Sequence, residues 1–138
     1  HDIGKLFTPL SILEKRGKLE NDEYAIMKQH SYKTLVMLNP IPELGNIVHW
    51  AANHHERLDG SGYPFRLTAA SLDMPSRILA VADVFTAMTE NRPYRQGMQS
   101  EKALTILREE AANYRLDRDI VVLLDHNIAT VKPLVAMY

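Results

Sequence analysis

The chain has 138 residues, a formal net charge of −1, and 46% hydrophobic against 24% charged residues. That length suits one domain with a real core, and the composition is that of an ordinary globular protein. Near-neutral charge gives no support to coating of duplex nucleic acid, the lack of cysteine excludes disulfides and thiolate metal sites, and no apolar run approaches the roughly 18 residues that would span a membrane.

Helical signals run through the whole sequence. Thr8-Pro9 reads as a cap and first helical residue, with Ile12 and Leu13 facing inward until Gly17. Asn21 or Asp22 is expected to cap a second helix that continues past Met37, until Asn39-Pro40-Ile41-Pro42 breaks it. Leu44, Ile47, Val48, Ala51 and His55 share one helix face, with His54 about 100° round from His55. From Leu58 to Pro75 the pattern is loop-like, with a short turn at 69–72. Ser76 is expected to cap a helix over 77–89, followed by a loop over 91–97, a helix capped by Ser100, another begun by Asp117, and a short one after Lys132-Pro133. No alternating strand pattern, repeat or domain boundary interrupts this, so the expectation is one all-α domain.

Six positions carry candidate chemistry: His1, Asp2, His30, His54, His55 and Asp83. Asp83 interrupts the apolar run Ala80-Val81-Ala82-Asp83-Val84-Phe85. A carboxylate there needs a cation, or else backbone amides or an arginine, because burying it unpaired is costly. His30 alone reads as a partly buried helix histidine. The His54-His55 pair diverges around a helix and would address two adjacent metal ions better than one. Together these residues give four imidazoles and two carboxylates, the inventory of a dinuclear hydrolytic site. His49 and His126 read as surface histidines, and Glu56 as a residue that supports a ligand from behind.

His1-Asp2-Ile3-Gly4-Lys5, His30, the run His54-His55-Glu56-Arg57-Leu58-Asp59-Gly60-Ser61-Gly62-Tyr63-Pro64 and the stretch 77–95 closely resemble the HD-GYP domain family. This is a branch of the HD metal-dependent phosphohydrolases whose members hydrolyse the bacterial messenger cyclic di-GMP. The resemblance runs from His1 to about Leu107 and implies an all-α, single-domain helical bundle. It implies metal ligation by His1, Asp2, His30, His54, His55 and Asp83, with Asp2 bridging two divalent ions, iron or manganese. Asp2 and Lys5 would act in catalysis, and Lys5, Arg92 and Arg95 would grip phosphates, a task that suits planar guanidinium donors. Gly62-Tyr63-Pro64 would line the substrate side. Gly60 and Gly62 are expected to permit positive φ in the loop, and Tyr63 either packs beneath it or offers a surface to a guanine or a protein.

The implied reaction is two-metal phosphodiester hydrolysis that opens cyclic di-GMP to linear pGpG and onward to GMP. The alternatives are another cyclic dinucleotide as substrate, or a binding module that keeps the ligands and acts through a partner. A cytoplasmic location, a regulatory domain in the same chain, signalling-protein partners and a homodimer all accord with the resemblance. The chain begins at the motif without an initiator methionine, so residues 1–138 read as an HD-GYP-like domain lacking the helices that precede His1 in the family. A third metal would draw on a ligand from that region. Phe65-Arg66 and Thr68-Ala69-Ala70 replace a glycine-containing stretch common after this motif, which predicts a stiffer or differently shaped loop. Gln96 replaces a frequent lysine.

Overall fold

A computed structural model describes residues 1–91 and 96–135, with side chains to Pro133. Among the described residues the chain forms seven α-helices and no strand, as the helical periodicity predicts. No helix among them is long and apolar enough to cross a membrane. The helices are α1 (Leu10–Leu13), α2 (Asn21–Leu38), α3 (Ile47–Ala52), α4 (Met74–Thr89), α5 (Ser100–Ala112), α6 (Arg118–His126) and α7 (Ile128–Val135). Short 3-10 segments, Ile3–Phe7 and Pro42–Leu44, precede α1 and α3.

The main core lies between α4, α5 and α6. Val81 and Phe85 of α4 meet Ala103, Leu104 and Leu107 of α5, and Ile120 and Val121 of α6. Burial at these i, i+3, i+4 positions drives the helices together. Asp117 caps α6 by accepting from the amides of Asp119 and Ile120, at 3.0 and 3.3 Å. Its other oxygen takes the Arg77 guanidinium at 3.0 Å, and Arg77 also donates to the carbonyls of Leu72 and Ala69. One side chain of α4 thus holds both the cap of α6 and the end of the preceding loop.

Several boundaries differ from expectation, each for a local reason. Thr8 does not cap α1. It is buried, and its amide closes the preceding 3-10 turn on the Lys5 carbonyl. In α2 the cap is Glu20, not Asn21 or Asp22, because Glu20 and Glu23 form a reciprocal capping box. For α4 the cap is Asp73, not Ser76: Asp73 accepts from the Ser76 amide at 3.1 Å and from the Trp50 indole at 2.7 Å, which ties α3 to the start of α4. Gln99 occupies the cap position of α5, and α7 begins at Ile128 with Pro133 inside it.

The first residues are docked on α2 by a close backbone approach. A Cβ on Gly4 would stand 2.0 Å from the His30 carbonyl oxygen and 2.6 Å from the Thr34 amide nitrogen. Thr34, fully buried, accepts from the Gly4 amide at 3.0 Å and donates to the His1 carbonyl at 3.0 Å. Only glycine lets the segment lie this close to the helix. Gly4→Ala should therefore cost roughly 1–3 kcal/mol by forced overpacking and lift His1 and Asp2 off α2. Urea unfolding measures this, and a wild-type midpoint would show that the approach is not needed.

Candidate metal centre

Four elements converge on one site. The 3-10 segment brings Asp2, α2 brings His30, the turn after α3 brings His54 and His55, and α4 brings Asp83. The histidine pair is not on a helix, as the sequence periodicity suggested. Helix α3 stops at Ala52, and Asn53 closes it on the His49 carbonyl. The turn beyond it is closed by the Glu56 amide on the Asn53 carbonyl at 2.9 Å, and the Tyr63 amide donates to the His55 carbonyl at 3.2 Å. The burial order is also reversed, with His54 fully buried and His55 only partly.

His30 and His54 are held in the same way. Each Nδ1–H donates to the carbonyl three residues back, Met27 and Ala51 respectively, both at 2.6 Å. A carbonyl can only accept, so Nδ1 carries the proton and Nε2 of each neutral ring presents a lone pair. Those two Nε2 atoms lie 3.4 Å apart, and they stand 3.4 and 3.7 Å from Asp2 Oδ1. The Ser31 hydroxyl, 3.3 Å from His30 Nε2, is a donor available to one of them. Asp2 Oδ1 is buried and has no hydrogen-bond partner among the described residues.

On the other side, Asp83 faces His1 Nε2 at 3.4 Å and His55 Nδ1 at 3.6 Å. It is not sealed in the core as its apolar neighbours suggested, because its side chain keeps 20% exposure toward a cavity. Ligand atoms of His30, His54 and His55 fall within 4.8 Å of one another, as do those of His1, Asp2 and His54. Lys5 donates to Asp2 Oδ2 at 2.5 Å, so its first partner is the aspartate. An ammonium has further protons to offer a phosphate.

The electrostatics keep these groups in ligand form. Burial pushes His30 and His54 down, His54 to about 4. Burial and the neighbouring His54 push His55 down as well. Burial works to raise the Asp2 carboxyl, but the Lys5 hydrogen bond and charge outweigh it, and Asp2 titrates below its usual range. Asp83 is likewise lowered: burial opposes, while the hydrogen bond from His1 and the charge of His55 prevail. The Asp83 hydrogen bond raises His1 against its burial.

Beside the centre lies the Gly62-Tyr63-Pro64 loop. Tyr63 packs on the His55 ring, with centroids 4.8 Å apart, and also lines the cavity. Burial raises its hydroxyl, so it stays protonated. The Tyr63–Pro64 peptide is cis. Gly60 has φ +77°, as expected. Gly62 does not; it is required by close approach, since a Cβ would lie 2.4 Å from the Arg57 amide nitrogen. Arg66 takes φ +57° where a glycine would be unstrained.

Glu56 does not bond any of the histidines. Its buried carboxylate accepts from the amides of Phe65 at 2.6 Å and Leu67 at 2.9 Å, clamping the loop. The two carboxylate oxygens match the two amides, a pairing for which no local signal exists along the chain. His49 and His126 are exposed, as expected. The expected phosphate grip of Arg92 and Arg95 lies outside the described residues.

Residues 1–120 match the family described as HD domain. The chain is 48% identical over 120 residues to the 3'3'-cGAMP-specific phosphodiesterase 1 of Vibrio cholerae, covering 87% of this chain and 28% of that protein. It is 41% identical over 111 residues to the cyclic di-GMP phosphodiesterase response regulator RpfG of Xanthomonas campestris, covering 78% and 29%. With the cyclic di-GMP phosphodiesterase of Thermotoga maritima it shares 45% over 107 residues, covering 75% and 28%. The chain therefore spans little more than a quarter of the length of these relatives.

Because His54 is pushed down to about 4 from an ordinary 6.5, the unfolded chain binds more protons than the folded one between those values. Stability of the metal-free protein is then full above 6.5 and falls as pH drops toward 4, by on the order of 3 kcal/mol from this residue. Urea titrations across that range should show a weaker pH dependence in His54→Asn. Separately, Glu56→Gln faces one loop amide with an NH2 group, at about 1.5–3 kcal/mol. Hydrogen exchange at Phe65 or Leu67 should quicken at least tenfold; unchanged protection of both amides would show that the clamp is dispensable.

Proposed function

The chain belongs to the HD domain family, in its HD-GYP branch, and on that premise we propose that it is a metal-dependent phosphodiesterase that hydrolyses cyclic dinucleotides in bacterial signalling. The observation that carries this is the meeting of His30 Nε2, His54 Nε2 and Asp2 Oδ1 within 3.4–3.7 Å. Two imidazole lone pairs and a buried carboxylate oxygen repel one another unless a cation lies among them. The donor set, all nitrogen and oxygen, fits borderline divalent ions such as iron or manganese.

His30, His54, Asp2, His1, His55 and Asp83 would hold two such ions. The two overlapping groups of ligand atoms share His54, and Asp83 reaches one histidine of each. When bound, the ions supply Lewis acidity toward phosphoryl oxygens and acidify a water molecule. The chain's own residues do the rest. Lys5 holds Asp2 by Oδ2, which leaves Oδ1 directed inward, and its remaining N–H groups can steady a non-bridging oxygen of the scissile phosphate. The Met27 and Ala51 carbonyls fix the tautomers of His30 and His54. Tyr63 covers the His55 ring from the cavity side and limits water there.

The substrates we assign are cyclic di-GMP or 3'3'-cGAMP, supported by the names of the relatives. The test is incubation of the manganese- or iron-loaded protein with each dinucleotide, with products followed by chromatography. Linear dinucleotide should appear, and Asp83→Ala should lower both bound metal and turnover by at least a hundredfold. A protein that holds no transition metal, or an Asp83→Ala variant that still holds two ions, would overturn the assignment.

A further inference from the structure

A cavity of about 520 Å³ opens directly from the metal centre. His55 and Asp83 form its inner wall, and Arg57, Tyr63, Tyr24 and Arg115 are among its other walls. The two cations differ in what they are already bonded to. Arg115 is half-exposed and engaged, with Glu110 at 3.1 Å and Asp59 at 3.8 Å. Arg57 projects from the segment that links the histidine pair to the loop. Its Nη1 is buried and has no hydrogen-bond partner among the described residues.

A buried guanidinium N–H without an acceptor is expensive, and the described residues supply none for it. Of the acidic residues lining the cavity, Glu110 is paired with Arg115, and Asp83 faces His1 and His55. A ligand in the cavity could bring that acceptor, and an anionic oxygen suits a guanidinium best. A cyclic dinucleotide carries two phosphodiesters on one ring. With one placed at the histidine–aspartate cluster, the other enters the adjoining space.

We propose that Arg57 binds the second, non-scissile phosphate of the substrate and so selects cyclic dinucleotides over simple phosphodiesters. This rests on the phosphodiesterase reading above. Arg57 is a substrate-binding residue here, distinct from Lys5, which is held to Asp2 at the cluster itself. It is set in place by its neighbours: the Glu56 clamp fixes one side of the segment, and Gly62 lies against its amide.

The test compares wild type, Arg57→Met and Arg57→Lys, each metal-loaded, on two substrates. One is the cyclic dinucleotide turned over best, and the other is bis(p-nitrophenyl) phosphate, which has a single phosphodiester. Binding of a hydrolysis-resistant phosphorothioate cyclic dinucleotide is measured alongside. Arg57→Met should lower the ratio of kcat/KM values, cyclic dinucleotide over single diester, by about ten- to a hundredfold. The loss should lie mainly in KM and be matched by weaker analogue binding, with partial rescue in Arg57→Lys. An equal fall on both substrates, accompanied by a lower Tm, would mark Arg57 as structural and overturn the proposal. An unchanged ratio would overturn it too. Wild type that hydrolyses the single diester but neither binds nor cleaves any cyclic dinucleotide overturns the substrate reading and this inference with it.

Discussion

Three acceptors that face one another without enough protons to share set the terms for everything around them. His30 Nε2, His54 Nε2 and Asp2 Oδ1 converge although each ring has already spent its Nδ1 proton on a backbone carbonyl. Left in water, these groups would turn apart. They stay together because each is fixed from behind: the rings by carbonyls three residues back, and the aspartate by Lys5 on its outer oxygen. A site built this way stores unfavourable electrostatics that only a cation relieves, which is the arrangement expected of preorganised ligands.

The fold divides the labour. The α4–α5–α6 core supplies rigidity and carries Asp83 on one of its own helices. The opposite wall is thinner, since the segment bearing His1 and Asp2 rests on α2 through Gly4 and the two hydrogen bonds of Thr34. The nearby Leu6, Phe7 and Leu10 remain more than half exposed. The candidate site thus draws on the core on the side of Asp83 and on a close backbone approach on the side of His1 and Asp2.

Much of this was legible in the residues and much was not. Period-3.6 apolar patterns announced the helices, and imidazoles with carboxylates and no thiol pointed to the cluster that the fold brings together. Both depend on residue type and local spacing. The end of α3 at Ala52 was invisible, because no glycine or proline marks it and the turn beyond it is engaged by a distant loop amide at the His55 carbonyl. Gly4 and Gly62 look like any other glycines until the backbone that crowds them is known. Glu56 and Arg57, adjacent in sequence, turn out to do unlike things: one carboxylate holds a loop, and one guanidinium reaches a cavity. Long-range partners decide such roles, and no pattern along the chain encodes them.

The Glu56 clamp bears on how the loop can take part in recognition. Burial raises the carboxyl of Glu56, while hydrogen bonds from Phe65 and Leu67 pull it back. An ionised carboxylate is kept in so buried a position only where the amides it meets are already arranged to receive it. A loop held in that manner, with Arg66 in a left-handed conformation and Gly62 pressed against the chain, has little freedom to fold over a ligand. Its walls therefore act as a preset shape, and discrimination between ligands falls to the side chains that project into the cavity. Arg57, Ser61 and Tyr63 are the side chains that the loop segment itself contributes beside His55.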